Sequence, residues 1–273
     1  MKIAALFTCF NRKEKTETAI RSLVNGNPGI EFTFIVADDN SNDGTPEMLQ
    51  RLNQEGYSIE CIHGDGNLFY SGGMRVAMDF ALKQQNQYEY VLMMNDDVEF
   101  HTGAIEKLVK QSSEKHNAVI VGVTCDSKGN YSYGAIQYTN GISYIGRGIE
   151  FSDLECDTFN ANCVLIPWQH FEKSRGMDSH YVHSLGDFDF GLKLKKGGAK
   201  IYPSQEYVGI CNPNSSKGSW KDTSVSLIQR IKKKESPKGL PAGIWFYFIK
   251  KNFGLGLAIQ KTITPYIRIL IGK

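Results

Sequence analysis

The first half of the chain alternates short apolar runs with segments whose apolar residues recur at helical spacing. The apolar runs end in polar loops and predict strands at Ile3–Thr8, Phe32–Ala37, Ser58–Ile62, Tyr90–Met94 and Ala118–Val123. The segments between them predict helices at Lys13–Val24, Pro46–Glu55, Gly72–Gln85 and Gly103–Lys115. This alternation predicts an α/β fold with a mixed, mainly parallel sheet flanked by helices. Ligands bind such sheets at the carboxyl ends of the strands, so the polar loops there form the candidate site.

The pattern changes after about residue 124. Further elements are predicted there: one or two antiparallel strands over Tyr131–Tyr144, a strand at Asn162–Pro167, a short helix at Gly186–Lys196, and a mobile loop with a basic helix over Lys217–Lys238. We predict one domain over residues 1–213, with a nucleotide-binding half of about 1–124 and an acceptor half of about 125–213. Residues 214–273 are expected to form a basic amphipathic C-terminal region.

The formal net charge of +2 hides a strong asymmetry along the chain. Residues 214–273 contain ten Lys and two Arg against one Asp and one Glu, a charge of +10, which leaves −8 for the preceding residues. Basic residues beside the aromatic run Trp245–Phe248 suit the headgroup boundary of an anionic membrane, and we expect residues 230–271 to lie on it rather than cross it. The alternative is that these aromatic residues pack against the acidic body. No recognition motif accompanies the basic tail, so a nucleic-acid partner is not expected.

The six cysteines show no spacing typical of zinc sites or disulfide frameworks. They are expected to be reduced core thiols in a cytoplasmic protein that can associate peripherally with the inner face of the membrane. The N-terminus runs directly into a strand pattern and does not resemble a signal peptide. No run of about 18 apolar residues predicts a spanning helix.

Two acidic clusters follow predicted strands. Asp38 and Asp39 come after the second strand, where carboxylates can accept hydrogen bonds from a nucleotide base or a ribose; the alternative is a turn that caps the next helix. The segment Asn95–Asp97 comes after the fourth strand. Adjacent carboxylates repel each other unless a cation lies between them, and oxygen ligands select Mg²⁺ or Mn²⁺. The alternative there is a solvated acidic turn.

Two further segments carry candidate chemistry. The glycine-rich loop Gly64–Arg75 would let the backbone approach a ligand, with Asn67 and Arg75 as donor-binding candidates, although it is neither a phosphate-binding P-loop nor a dinucleotide fingerprint. Asp187 and Asp189 open the predicted helix Gly186–Lys196, where acidic residues favour a helix N-terminus electrostatically. A carboxylate near an acidic metal site is also a natural general base.

The order of these motifs resembles the family 2 glycosyltransferases of GT-A fold, a Rossmann-like fold, over roughly residues 1–205. The resemblance implies that Thr8, Phe10, Asn11 and Asp39 bind the nucleotide, that Asn95 and Asp96 contact the donor with Asp96 near the ribose, and that Asp97 binds the metal. It also implies that Asp187 is the general base. Two positions depart from the family pattern: Asn95 replaces the first Asp of the usual triplet, and Gly186 replaces the Glu of a Glu-Asp pair. The third metal ligand is open, with Asn212 or a water as candidates.

The implied function is inverting, metal-dependent transfer of a sugar from a nucleotide-diphosphate donor, a UDP- or dTDP-sugar, to an acceptor hydroxyl in bacterial surface polysaccharide or glycolipid assembly. The tail resembles that of a rhamnosyltransferase-like subgroup, and the acceptor is expected to be a saccharide or a lipid-linked saccharide. His183, Trp168 and Trp220 are acceptor-site candidates, with Trp220 in a loop suited to a lid and core packing as the alternative for Trp168.

Two alternatives to this function stay open. A nucleotidyltransferase on a similar fold would want a glycine-rich, basic phosphate loop, which Thr8–Lys15 does not resemble. A catalytically weakened nucleotide-sugar binding module would be consistent with Asn95 and Gly186.

Overall fold

The computed structural model describes residues 1–84, 87–138, 146–215 and 217–272. The strands are β1 Lys2–Cys9, β2 Glu31–Asp38, β3 Ser58–His63, β4 Tyr90–Met94, β5 Glu99–Phe100, β6 Val119–Cys125, β7 Tyr131–Tyr133, β8 Ala135–Tyr138, β9 Gly146–Ile149, β10 Thr158–Phe159, β11 Cys163–Pro167 and β12 Ile201–Ile210. The helices are α1 Lys13–Gly26, α2 Thr45–Gln54, α3 Phe69–Lys83, α4 Ala104–Glu114, α5 Trp168–Ser174, α6 Gly186–Lys196, α7 Leu227–Glu235, α8 Ala242–Phe253 and α9 Leu255–Leu270.

Within the described residues, the central sheet has nine strands, eight of them in the order β3-β2-β1-β4-β11-β6-β12-β5, while β7 pairs with β6. Neighbours are parallel from β3 to β4, whereas β11 runs antiparallel between β4 and β6. The predicted mixed, mainly parallel sheet flanked by helices is therefore confirmed. Because β1, β2 and β4 run in the same direction, the loops that follow them meet at one edge of the sheet.

The predicted strands and helices of the first half all occur, with ends that differ by a few residues. Beyond residue 124, β7 and β8 account for the antiparallel strands predicted over Tyr131–Tyr144. Residues 139–144 of that range, and Gln85 of the predicted third helix, lie outside the described residues. The sequence pattern did not predict β12, although β12 pairs with both β6 and β5. Pro203 and the polar Gln205–Glu206 interrupt its apolar pattern, and the register of the β6 pairing shifts after Pro203.

Two apolar clusters cover the two faces of the sheet, and a third is built by the C-terminal region. In the third cluster Trp245 and Phe248 of α8 are buried with Tyr181, and Leu192 of α6 packs against them. Lys251 of α8 binds both Asp178 and Asp189 at 2.7 Å. The expectation that the aromatic residues of α8 face a membrane is therefore corrected: they complete a core against the body, as the alternative stated.

All six cysteines are free thiols, and five of them are buried. Burial raises the pKa of Cys156 and Cys163 to about 12, so these thiols stay protonated at neutral pH. Within the part of the chain that the structure describes, no helix is long and apolar enough to cross a membrane.

Candidate functional site

A cavity of about 470 Å³ lies at the edge of the sheet where β1, β2 and β4 end. Its size is that of a small-molecule site. The structure brings eight of the predicted site residues to its wall: Thr8, Phe10, Asp39, Asn95, Asp96, Asp97, His183 and Asp187. The ends of three parallel strands and the loops that follow them supply the first six, and the segment before α6 and its first turn supply the other two. Four carboxylates thus share one cavity.

Asp96 and Asp97 form the acidic centre of the cavity. The two side chains follow β4 and keep only 8% and 15% of their surface exposed. Burial raises the pKa of Asp96 to about 6, partly offset by Arg12, while the neighbouring Asp97 raises it further. Adjacent carboxylates in this setting need a positive partner.

Arg12 supplies that positive charge. It lies between β1 and α1, and its Nη1 donates to Asp96 Oδ1 at 3.0 Å and to Asp97 Oδ2 at 2.8 Å. Burial works to lower the pKa of Arg12, but the two carboxylates outweigh it and the pKa is raised. Nothing in the apolar pattern of the sequence pointed to this contact. The repulsion expected between Asp96 and Asp97 was the signal that some cation should lie there.

Asp96 and Asp97 are also candidate ligands for a divalent cation. No group of three or more His, Cys, Asp or Glu side chains suited to a metal occurs among the described residues. Two carboxylates with the amide of Asn95 in the same wall still offer oxygen donors, the ligands that Mg²⁺ and Mn²⁺ prefer while keeping waters and substrate phosphates. The amide oxygen of Asn212, the other candidate ligand, accepts the backbone N–H of Ser127 at 2.9 Å. The residues therefore fit such an ion provided that the Arg12 guanidinium moves aside.

Asp39 organises the glycine-rich loop after β3. Its Oδ1 accepts the backbone N–H groups of Gly66 at 2.9 Å and Leu68 at 3.1 Å, and its Oδ2 accepts that of Phe69 at 2.9 Å. Gly64 allows this approach, because a Cβ atom there would lie 2.7 Å from Asp39 Oδ1. The carboxylate predicted to hold the nucleotide therefore also holds the backbone of the neighbouring cavity wall.

Asn11 joins two loops at the edge of the cavity. Its backbone N–H donates to Ser41 Oγ at 2.9 Å, and its side-chain Oδ1 accepts the N–H of Asn42 at 2.8 Å. Asn11 has a φ of 52°, in the left-handed region that Asn tolerates better than most residues. It does not line the cavity, so its observed role is to clamp the loop after β1 to the loop after β2.

Asp187 lines the same cavity from the first turn of α6. Its oxygens accept the N–H groups of Phe188 at 2.9 Å and Ala161 at 3.3 Å, and no ion pair of Asp187 occurs among the described residues. Burial raises its pKa to about 6, and these backbone hydrogen bonds only partly offset the rise. A carboxylate with a pKa near neutrality, facing a cavity, can accept a proton from a bound hydroxyl.

The C-terminal region also contributes to the wall of the cavity. Ser184 Oγ donates to the carbonyl of Gly239 at 3.0 Å, and Lys238 lines the wall together with His183. The pKa of His183 is lowered by burial and by the charge of Lys238, so its imidazole is neutral at pH 7. The sequence analysis assigned Lys238 to residues 230–271, which were expected to lie on a membrane, and not to the site. The spacing of the basic residues there indicated only a charged segment.

A family model described as "Glycosyl transferase family 2" matches residues 5–163, more than half of the chain. The chain belongs to glycosyl transferase family 2. The matched segment includes Asp39, Asp96 and Asp97 and ends before α6 and Asp187.

A curated relative of this family 2 chain is the GalNAc(5)-diNAcBac-PP-undecaprenol beta-1,3-glucosyltransferase of Campylobacter jejuni, 29% identical over 149 residues. That match spans 55% of this chain and 44% of the relative, so the chain covers less than half of the relative's length.

Two solved glycosyltransferase structures share the GT-A fold with this chain. Staphylococcus aureus TarS 1-349 in complex with UDP-GlcNAc has a TM-score of 0.63 at 14% identity, covering 98% of this chain and 90% of that one. The mannosyltransferase PcManGT of Pyrobaculum calidifontis, solved with GDP-Man and Mn²⁺, has a TM-score of 0.61 at 11% identity, covering 99% and 73%. At these identities the likeness shows the fold.

Four other predicted site residues of this family 2 chain lie away from the cavity. Asn67 donates its backbone N–H to Asp65, and Arg75 donates to the carbonyl of Tyr181 at 3.0 Å, which anchors the segment before α6. Trp168 packs against Phe171 and the apolar cluster on one face of the sheet, so the alternative of core packing applies. The carbonyl of Trp220 accepts a hydrogen bond from Arg230, which ties its loop to α7.

The glycine at position 186 has a packing reason. A Cβ atom there would clash with Ser71 Oγ and lie 2.7 Å from Met177 Sδ. The structure therefore leaves no room for the Glu side chain of the family pattern beside Asp187. The adjacent carboxylate is absent because α3 and the segment before α6 occupy its space, while Asp187 keeps its place in the wall.

Proposed function

We propose that this chain is an inverting glycosyltransferase that moves a sugar from a nucleotide-diphosphate donor to an acceptor hydroxyl. The observation that carries the proposal is that one cavity is lined both by Asp39, Asp96 and Asp97, the proposed donor end, and by Asp187, the proposed acceptor end, which has no ion pair among the described residues. The first three suit a nucleotide with its ribose and diphosphate. The fourth suits a hydroxyl that must lose a proton.

In the proposed reaction the acceptor oxygen attacks the anomeric carbon from the face opposite the diphosphate. Asp187 takes the hydroxyl proton as the new C–O bond forms, and the electron pair of the breaking bond leaves with the diphosphate. Attack from the opposite face needs no covalent sugar–protein intermediate. Positioning a general base of this kind contributes on the order of 10²–10⁴ in rate.

Mn²⁺ or Mg²⁺ is the proposed cofactor, held by Asp97 with Asp96 near the ribose. When bound, such an ion neutralises negative charge on a departing diphosphate. The Mn²⁺ in the Pyrobaculum structure supports a divalent ion in this fold.

For the donor we propose a UDP- or dTDP-sugar, a choice supported by the UDP-GlcNAc of the Staphylococcus structure. Phe10, which is 48% exposed and lines the cavity, offers a ring face on which the base can stack, with Thr8 beside it in the wall. The rhamnosyltransferase-like character of the tail stays a prediction.

A thermal-shift screen tests the donor class. Nucleoside diphosphates are compared with and without Mn²⁺, and we expect one base to raise the melting temperature more than the others, with the rise depending on Mn²⁺. Donors of that nucleotide are then assayed for transfer and hydrolysis in wild type and Asp187→Asn. Binding without any turnover in wild type would favour the weakened binding module, and release of pyrophosphate from a nucleoside triphosphate would favour the nucleotidyltransferase.

We also propose a lipid-linked saccharide as acceptor, in surface polysaccharide or glycolipid assembly, supported by the undecaprenol-linked substrate named for the Campylobacter relative. An acceptor of that kind would place the enzyme at the inner face of a membrane. The structure offers a surface for this contact on α9.

The solvent side of α9 is aliphatic. Leu255, Ile259, Ile263 and Ile267 recur every four residues and are 54%, 52%, 52% and 51% exposed, and Leu270 and Ile271 extend the same side. The opposite side packs on the protein through Ala258 and Ile269. An exposed apolar stripe within a region of charge +10 fits the interface of an anionic bilayer. The helix has 16 residues, short of the roughly 20 that crossing requires.

Co-sedimentation with phosphatidylcholine–phosphatidylglycerol vesicles tests this surface. The full chain should pellet with these vesicles at low salt and less at high salt, and Ile259→Ser with Ile263→Ser should reduce binding about tenfold or more. Leu154→Ser removes a still more exposed aliphatic residue, 68% exposed, from the body and is the control. Equal binding of the double variant and wild type would contradict the assignment. Truncation near Asn214 is unsuitable, because it removes Lys238 and the third apolar cluster.

A further inference from the structure

Arg12 and the two carboxylates at the donor end differ in their freedom to move. The Arg12 side chain is 40% exposed, whereas Asp96 and Asp97 are 8% and 15% exposed. The guanidinium reaches the carboxylates from the cavity wall on a long side chain, while the carboxylates follow the buried strand β4 directly. If this ion pair opens, Arg12 is the partner that leaves.

The guanidinium and a divalent cation would need the same oxygens. One atom, Nη1, contacts Asp96 Oδ1 and Asp97 Oδ2 together and therefore lies between the two carboxylates. A divalent ion held by Asp97 would need a place beside the same carboxylate oxygens. The two cations would exclude each other there, because their positive charges repel.

We propose that Arg12 is an exchangeable counter-ion that holds the Asp96–Asp97 pair until a divalent cation displaces it. The inference rests on the proposed function in one respect, namely that a divalent ion belongs at this pair. Before exchange, Arg12 keeps two neighbouring carboxylates together in a largely buried place. Exchange makes the intrinsic affinity for the free ion low, so the ion binds well only when the nucleotide diphosphate adds its own oxygen ligands.

Binding of Mn²⁺ alone, followed by the electron paramagnetic resonance of the free ion, tests the exchange on the full chain without donor or acceptor. Arg12→Gln should bind Mn²⁺ about tenfold more tightly than wild type, because the competing charge-assisted hydrogen bonds are gone. Arg12→Lys keeps a competing positive charge and should stay within about threefold of wild type. Asp97→Ala identifies the signal that belongs to this site.

Lys15→Gln is the matched control for charge. The positive charge of Lys15 lowers the pKa of Asp96 from a distance, and no hydrogen bond between the two occurs among the described residues. Removal of this charge should therefore change Mn²⁺ affinity by about twofold or less. An Arg12→Gln gain no larger than that of Lys15→Gln would show that only net charge matters and would overturn the exchange. Unchanged or weaker Mn²⁺ binding by Arg12→Gln would overturn it as well.

Thermal unfolding supplies a second readout that is independent of turnover. In EDTA, Arg12→Gln should melt below wild type, since two close carboxylates lose their counter-ion, and Mn²⁺ should raise its melting temperature by more than it raises that of wild type. An equal Mn²⁺ response in both proteins would count against the proposal. A wrong donor sugar would leave all of these results unchanged, so failure of the proposed function and failure of the exchange remain distinguishable.

Discussion

The aspartates at the proposed donor end and at the proposed acceptor end of the cavity have contrasting partners. At the donor end, Asp96 and Asp97 share the guanidinium of Arg12, and Asp39 accepts three backbone N–H groups. At the acceptor end, Asp187 accepts two backbone N–H groups and has no ion pair among the described residues. In the proposed assignment, the donor end is a set of charges that Arg12 and backbone N–H groups already compensate, whereas the acceptor end holds one carboxylate suited to accepting a proton.

The difference shows that the surroundings of an aspartate determine whether it is suited to binding a ligand or to accepting a proton. A cation favours the ionised form of a carboxylate, and Arg12 accordingly offsets part of the rise that burial causes in the pKa of Asp96. Burial without a cation raises the pKa of Asp187 to about 6, near the pH at which a base works best. We therefore expect variants at the two ends to fail differently, and five predictions test this contrast, from the largest effect to the smallest.

Asp187→Asn should lower kcat by about 10²–10⁴ while donor affinity stays within about twofold. The amide keeps the shape of the side chain but cannot accept the proton. Steady-state transfer kinetics and donor titration measure the two quantities separately. Asp189→Asn is the control, because Asp189 is buried on Lys251 and Asn252 outside the cavity and should affect melting more than kcat. Turnover near the wild-type rate in Asp187→Asn would exclude Asp187 as the base.

Asp97→Ala should abolish the Mn²⁺-dependent part of donor affinity, a loss of at least about tenfold, with the fold intact. The remaining Asp96 keeps Arg12 as its partner, so the variant gains no unpaired buried charge. Calorimetric titration with the nucleotide that the screen identifies, with and without Mn²⁺, measures the effect. Metal-dependent affinity equal to that of wild type would place the metal elsewhere.

The pH profile reports on a carboxylate at each end of the cavity, and both act in the same direction. Asp187 must be ionised to act, so kcat should fall as pH drops through about 6, by about tenfold for each further unit. Asp96 also has a raised pKa of about 6 and should add to the acid limb of kcat/KM for the free protein. An acid limb of kcat that persists unchanged in the residual activity of Asp187→Asn would assign the limb to another group.

The same raised pKa predicts a change in stability. Between about pH 4 and 6 the folded chain binds a proton at Asp187 that the unfolded chain has released, so the ionised group opposes folding more as pH rises through this window. Asp187→Asn should therefore melt higher than wild type above pH 6, with the difference shrinking towards pH 4. Thermal unfolding across this range checks the sign, and a variant that melts lower throughout would contradict it.

Lys238→Gln should have the smallest effect, raising KM for one substrate by about two- to fivefold with little change in kcat. The ammonium lies at the exposed rim beside His183, where it can attract an anionic substrate but is screened by solvent. Lys232→Gln, on the exposed side of α7, is the control. The KM effect should shrink at high salt, and an effect that does not depend on salt would indicate a structural role instead.

The sequence allowed much of the donor end to be predicted. The apolar runs of β2 and β4 are followed at once by Asp38 and Asp39 and by Asn95–Asp97, so the grouping of these acidic loops follows from a parallel sheet. Asn67 and Arg75 were predicted from loop composition, which does not reveal side-chain direction, and the structure directs Arg75 to Tyr181. For β12 the pattern was misleading, because a strand with polar residues can still pair on both sides.

In the C-terminal region, the sequence does not predict which side of each helix is buried. Helices α8 and α9 both mix apolar residues with lysines, yet α8 buries Trp245 and Phe248 while α9 exposes Ile259 and Ile263. The order of apolar and basic residues in either helix does not indicate which side faces the body. The choice depends on the apolar surface of α6 and on Asp178 and Asp189, which bind Lys251 from more than sixty positions earlier in the chain.

The sequence by itself determined the α/β architecture, the family and the acidic loops at the ends of the strands, because apolar periodicity and strand-end composition are local properties of the chain. Only the tertiary structure decided which carboxylate has a cation and which has none. Arg12 meets Asp96 across 84 positions, and Asp187 owes its raised pKa to burial by segments far from it in the chain. Charge state depends on such distant neighbours and on solvent access, and neither is written in the spacing of the residues.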